Sequence, residues 1–111
     1  MTGANVVPPN NSRAAGLLWA TFDSASKELQ WSGSYSGLSS RVIAAHFRGP
    51  SNPNQNAGVV MAARSHRQRF AGSAMLSDAE AADLTAGRWY VNISTEAYPH
   101  GEIRGQVVLG E

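Results

Sequence analysis

The amino-acid sequence predicts an all-β domain, an antiparallel β-sandwich or Greek-key barrel of seven to eight strands with one short helix. Two observations carry this prediction. Short segments alternate between apolar and polar residues, and turn-forming residues recur about every ten positions. A chain of 111 residues is long enough for one hydrophobic core, so residues 1–111 are expected to form a single domain.

Six strands are predicted before the last quarter of the chain. The segment Glu28–Ser36 alternates most cleanly, which is typical of a half-exposed antiparallel strand. The segment Ala14–Phe22 is apolar on both sides, which predicts a strand that is covered on much of both faces. The other four are predicted over Ala4–Val7, Arg41–Arg48, Gly58–Ala63 and Phe70–Leu76.

A helix is predicted only over Ser77–Ala86. Ser77 is followed three residues later by Glu80, which is the pattern of a capping box, and Asp78 complements the helix dipole. Gly87 is the expected C-terminal cap. The apolar side of this segment is small, so the helix is expected to connect strands rather than to form the core.

The last quarter of the chain predicts two further strands joined by a turn-like segment, Ala97–Gly101. In the second strand, Glu102–Leu109, the two-residue period of a strand places Glu102 and Arg104 on one face. These two side chains are either a charged recognition spot or a structural brace. We favour the brace, an ion pair or a set of bonds to the backbone that fixes the Pro99–Gly101 loop against neighbouring strands, because the guanidinium fork suits carbonyl and carboxylate oxygens.

Composition excludes several classes of function. Nine basic residues against eight acidic residues give a formal net charge of +1, which predicts attraction to neither nucleic acid nor an anionic membrane. The chain has no cysteine, and therefore no disulfide framework or thiolate nucleophile. No apolar run approaches the roughly 20 residues of a membrane span, and no export signal is visible.

Neither catalytic spacing nor a strong binding motif stands out. The sequence lacks the local elbows that mark an activated nucleophile with its base, so the protein is expected not to be an enzyme. The basic segment Arg64–Arg69 is a candidate for binding anions, but we favour a solvated hairpin tip because no aromatic residues interrupt it. The loop Gly49–Ala57 is longer than a usual hairpin connection, and loops of this length are sometimes functional.

Five segments, in this order and spacing, resemble the CHRD domain family, named after the extracellular regulator chordin. They are GANVVPP, GLLWATFD followed by LQWSGSYSGL, AAHFRGP, LSDAEAADLTAGRWYVNIST and PHGEIRGQV. The resemblance covers nearly the whole chain. It implies an immunoglobulin-like sandwich and an extracellular or periplasmic location, but it implies no particular chemistry.

Two positions depart from the pattern of this family. Related sequences often have a second histidine where this chain has Arg48, two residues after His46, and often a histidine in place of Ser94. Two histidines at that spacing on a strand point the same way and suit a metal ion. Here the pair is broken, which leaves His46 and His100 as the candidates for a metal site.

The sequence as a whole predicts a non-catalytic extracytoplasmic module, with a binding or structural role, an unknown protein or glycan ligand and no cofactor. The alternative is a histidine-based copper or zinc protein, or a redox protein. Association of copies through edge strands is a further possibility. The candidate binding residues are His46, Arg48, His100, Glu102 and Arg104.

Overall fold

The computed structural model describes residues 1–52, 55–63, 65–66 and 68–108. Within these residues there are eight strands, one α-helix (α1) and one 3-10 helix, which confirms the prediction of an all-β chain with a short helix. The strands are β1 Ala15–Asp23, β2 Glu28–Ser36, β3 Val42–Arg48, β4 Val59–Ala62, β5 Ser65–His66, β6 Arg69–Met75, β7 Trp89–Thr95 and β8 Ile103–Val107. The helices are α1 Asp78–Thr85 and the 3-10 helix Gly3–Asn5.

The strands form two four-stranded sheets, in the orders β1-β2-β6-β5 and β4-β3-β7-β8. Every neighbouring pair of strands is antiparallel. The chain passes from one sheet to the other after β2, after β4 and, through α1, after β6. The predicted antiparallel β-sandwich is therefore confirmed.

Aromatic side chains from both sheets meet in the core. The Trp31 ring of β2 lies 5.1 Å from the Phe47 ring of β3 in an edge-to-face arrangement. The Phe47 ring lies 5.7 Å from the Trp89 ring of β7. Trp89 is buried, with 1% of its surface exposed. These rings fill the space between the sheets and carry much of the buried apolar surface.

The helix α1 is capped as the sequence predicts. The Ser77 hydroxyl accepts a hydrogen bond from the Glu80 N–H at 3.1 Å, and the Glu80 carboxylate accepts one from the Ser77 N–H at 2.8 Å. Gly87 follows the helix with a φ of 76°, which a residue without Cβ adopts readily. No helix in the described ranges is long and apolar enough to cross a membrane.

The predicted strand Ala4–Val7 is wrong, because a 3-10 helix begins at Gly3 instead. The cause is Thr2, the residue before the 3-10 helix. Thr2 forms bridges both to Ala15 of β1 and to Arg104 of β8, and its N–H donates to the Arg104 carbonyl at 3.0 Å. A single extended residue thus joins an edge strand of each sheet, and the chain then turns away.

The prediction for β1 is wrong in one respect, since only its inner face is covered. Leu17 is 58% exposed and Trp19 is 66% exposed. The reason is that no described element lies over the outer face of the sheet that contains β1. The apolar composition of this strand therefore reflects a surface rather than a second buried face, which the alternation of residues alone cannot distinguish.

Some sequence-based predictions fall on residues outside the described ranges. They are Arg64 and Arg67 of the basic segment, Pro53 and Asn54 of the long loop, and Leu109 at the end of the last predicted strand.

Replacement of Trp89 by alanine is expected to lower the free energy of unfolding by about 3 to 5 kcal/mol, because the sheets cannot close the cavity that the indole leaves. Chemical denaturation monitored by circular dichroism measures the loss. The control is Trp19→Ala on the exposed face, with an expected change within about 0.5 kcal/mol. Equal effects of the two substitutions would contradict the assignment of Trp89 to the core.

Candidate functional site

Glu102 lies fully buried in the bend just before β8, next to Gly101, whose φ is 130°. Its carboxylate accepts four hydrogen bonds. The Ser12 hydroxyl donates at 2.5 Å and the Ser39 N–H at 2.9 Å to one oxygen. The Ser39 hydroxyl donates at 2.8 Å and the Thr95 hydroxyl at 2.9 Å to the other oxygen. The carboxylate therefore joins the segment before β1, the turn between β2 and β3, and the end of β7.

These hydrogen bonds determine the charge state of Glu102. Burial alone would raise the pKa of the carboxyl group, since it disfavours the charged form. The donors on Ser12, Ser39 and Thr95 together outweigh burial and hold the pKa below its usual value of 4.5. Glu102 is therefore ionised at neutral pH, and its oxygens are already occupied by donors from the protein.

Arg104, in β8, is also buried, with 2% of its surface exposed. Its guanidinium lies 3.5 Å from the centre of the Tyr90 ring. It donates to the Asn52 carbonyl at 3.1 Å, and more weakly to the Asn56 amide oxygen at 3.3 Å and the Ser51 hydroxyl at 3.4 Å. Burial lowers the pKa of Arg104, but a guanidinium remains charged in proteins. Arg104 therefore binds the Gly49–Ala57 loop to the outer face of its sheet.

Glu102 and Arg104 do not pair with each other. Glu102 contacts Thr95 at the end of β7, whereas Arg104 contacts Tyr90 near the start of that strand. In the described part of the chain, the recorded ion pair joins Lys27 to Asp78. Glu102 and Arg104 were expected to lie on the same face of one strand. They do not, because β8 begins only at Ile103 and the alternation of the strand does not extend to Glu102. Bonds to backbone and hydroxyl groups, rather than an ion pair, hold both side chains. These bonds reach Ser12, Ser39, Thr95 and Asn52 rather than the Pro99–Gly101 loop that the brace was expected to fix.

Three strands bring His46, Asn92 and Arg104 into one row. His46 of β3 lies opposite Asn92 of β7, and Asn92 lies opposite Arg104 of β8. Arg48, two residues beyond His46, donates to the Asn92 amide oxygen at 3.3 Å and to the Ala57 carbonyl at 3.0 Å. Three of the five candidate residues thus lie near one buried asparagine, beside the Gly49–Ala57 loop.

His46 differs from the arginines, because it borders a cavity. The cavity has a volume of about 750 Å³, and Tyr35, Ser40 and Arg41 also line it. The Nδ1 atom of His46 is buried and has no hydrogen-bond partner among the described residues. Burial, and to a lesser degree the charge of Arg48, lower the pKa of His46 below 6.5. His46 therefore favours the neutral form, with one nitrogen unsatisfied.

His100 lies exposed in the turn between β7 and β8. Within the described ranges, no three or more histidine, aspartate or glutamate side chains come together in a way that could hold a metal ion. The arrangement of the described residues thus gives no support to the histidine-based alternative.

Sequence reasoning missed the partners that hold the charged residues in place. Ser12, Ser39 and Thr95 surround Glu102 but come from three separate segments of the chain. No local motif reveals such an arrangement. Tyr90 and Asn92 give only a weak signal, since they alternate with apolar neighbours in β7. All seven residues of β7 are in fact buried. On the second face, the Ala57 N–H donates to the Tyr90 hydroxyl and Arg48 donates to the Asn92 amide oxygen.

Comparison with protein families matches residues 1–107 to the CHRD domain. The chain belongs to the CHRD domain family. No curated protein and no solved structure gave a significant match to it. The CHRD segment PHGEIRG contains both Glu102 and Arg104, and in this structure both side chains hold parts of the fold together.

Replacement of Glu102 by glutamine is expected to cost about 2 to 3 kcal/mol of stability at pH 7, because the amide nitrogen cannot accept the hydroxyl and N–H donors. The carboxylate contributes its stability above the unfolded-state pKa, and that contribution is lost as the pH falls through the folded-state value, which lies below 4.5. Unfolding measured from pH 7 down to pH 3 should therefore show a shallower decline for Glu102→Gln than for the wild type. The exposed Glu96→Gln is the control, and a wild-type pH profile for Glu102→Gln would contradict the assignment.

The imidazole of His46 is expected to titrate below pH 6.5 in an NMR titration of the intact domain. Because the folded state disfavours its protonated form, stability should decline as the pH falls below that value. Arg48→Gln should raise the pKa of His46 only partly, since burial is the larger cause. A midpoint at or above 6.5 in the wild type would contradict the partial burial of this side chain as the main cause of the lowered pKa.

Proposed function

We propose that this CHRD domain is a non-catalytic binding module of an extracytoplasmic protein. The proposal rests on one observation: the buried charged side chains of the domain form hydrogen bonds with the protein itself. The carboxylate of Glu102 accepts four hydrogen bonds from the protein, and the guanidinium of Arg104 binds the Gly49–Ala57 loop. Groups held in this way stabilise the fold rather than transform a substrate.

The protonation states of these side chains support the absence of catalysis. A general acid or base must exchange a proton near neutral pH and must reach the substrate. The lowered pKa keeps Glu102 ionised, and burial removes it from solvent. Arg48 and Arg104 remain charged and are bonded to backbone carbonyl and amide oxygens. This leaves His46 as the candidate residue that a substrate in the adjoining cavity could meet.

Family membership supports the extracytoplasmic location, because CHRD domains are typically extracellular. The proposal includes an immunoglobulin-like assignment of the sandwich. The order β1-β2-β6-β5 corresponds to strands A, B, E and D of the immunoglobulin fold, and β3-β7-β8 corresponds to C, F and G.

The proposal is tested by screening the purified domain against broad panels of hydrolase and dismutase substrates. Each panel is run with the wild type, with His46→Ala and with the matched control His100→Ala, which removes an exposed histidine. No turnover above background by any of the three proteins is the expected result. Turnover that is lost in His46→Ala but retained in His100→Ala would overturn the proposal and would assign catalysis to the cavity.

A further inference from the structure

The outer face of the β1-β2-β6 sheet is an exposed surface with an unusual composition. Cross-strand pairing arranges it in rows, of which the central two are Trp19 with Ser32 and Ala71, and Thr21 with Gln30 and Ser73. All six side chains are exposed. We call these six residues the indole face.

Trp19 dominates the indole face. Its side chain is 66% exposed although indole is among the most apolar side chains, and Leu17, 58% exposed, lies beside it on β1. Ser32 and Ala71, the neighbours of Trp19 in its row, are small. The indole therefore borders a shallow groove of about 450 Å³, which Thr21, Gln30, Ser32 and Ser73 also line.

The polar groups in the groove are available to a ligand. The hydroxyls of Thr21, Ser32 and Ser73 make no side-chain hydrogen bond with the described residues, and Gln30 makes only one, from its amide nitrogen to Glu28 at 3.1 Å. Hydroxyl and amide groups beside one raised aromatic ring offer both donors and acceptors around an apolar platform. This combination suits a sugar ring, since the C–H face of the ring packs on an aromatic side chain while its hydroxyls point sideways to polar groups.

The distribution of charge favours an uncharged sugar over an anionic polymer as the ligand. None of the six residues of the indole face is charged. Arg69 lies in the row on one side of the two central rows, whereas Asp23 and Glu28 lie in the row on the other side. The net charge of the chain is +1. A polyanion would meet neither a basic patch nor an attractive field, whereas an uncharged polymer loses no ionic hydration on this surface.

We propose that the indole face binds a neutral glycan, with one sugar ring stacked on Trp19 and its hydroxyls bonded by Thr21, Gln30 and Ser73. This inference rests on the proposed binding function and names both the ligand class and the surface. It places the glycan on the sheet opposite to the one that carries His46, Arg48 and Arg104.

Isothermal titration calorimetry tests the proposal with neutral oligosaccharides of glucose, N-acetylglucosamine, xylose and mannose, and with heparin and polygalacturonate as anionic probes. Binding to at least one neutral oligosaccharide is expected. Trp19→Ala should weaken it at least about tenfold, because the stacking platform is lost. Trp19→Phe should restore part of the affinity, and Gln30→Ala should weaken binding to a smaller extent.

The matched control is Val59→Ala, which removes an apolar side chain, 52% exposed, from β4 of the other sheet. It should bind as the wild type does. Unfolding midpoints of Trp19→Ala and Val59→Ala should equal that of the wild type, which shows that lost binding does not reflect lost structure.

Three results would overturn the proposal. They are binding to none of the neutral probes, binding that Trp19→Ala leaves unchanged, and a concentration-dependent mass in light scattering that Trp19→Ala returns to 11.8 kDa, which would assign the face to a second copy. None of these results affects the proposed non-catalytic function. That function fails instead if a substrate is turned over with dependence on His46.

Discussion

The buried carboxylate of Glu102 is the interaction on which the arrangement of this sandwich depends. Its four donors come from Ser12, Ser39 and Thr95, which are distant in the sequence. A charge in the interior is costly unless hydrogen bonds replace the water it loses. Here the replacement is extensive enough to lower the pKa in spite of burial. The charge is therefore stable only when all of these segments are correctly placed. An ionised Glu102 thus favours the correctly assembled fold.

Arg104 has the corresponding role on the outer side of its sheet. It rests on the Tyr90 ring and binds the Asn52 carbonyl and the Asn56 amide oxygen, so these two residues are held against the sheet. Every residue of β7 is buried, and contacts with Arg104, Ala57 and Arg48 cover Tyr90 and Asn92 on its outer face. Arg48 reinforces the arrangement through Asn92 and Ala57. The charged residues that attract attention in the sequence thus serve the architecture.

Much of the fold could be predicted from the sequence, because alternation and capping are local signals. The bounds of β2 and the capping box at Ser77 agree with the structure. The failures have a common cause in tertiary context. Thr2 joins both sheets, which displaces the predicted strand at Ala4–Val7. The outer face of β1 is exposed at Trp19 because nothing described covers it, and no local pattern carries that information.

The candidate site was less predictable than the fold, since its geometry arises from contacts between distant segments. The sequence selected Glu102 and Arg104 but could not show that they face different partners. A carbon-13 NMR titration of the Glu102 carboxyl group shows whether this carboxylate holds the fold together. We expect a midpoint below 4.5, with acid unfolding following protonation. A midpoint above that value in the folded domain would contradict it, since Glu102 would then exchange a proton without holding the fold together.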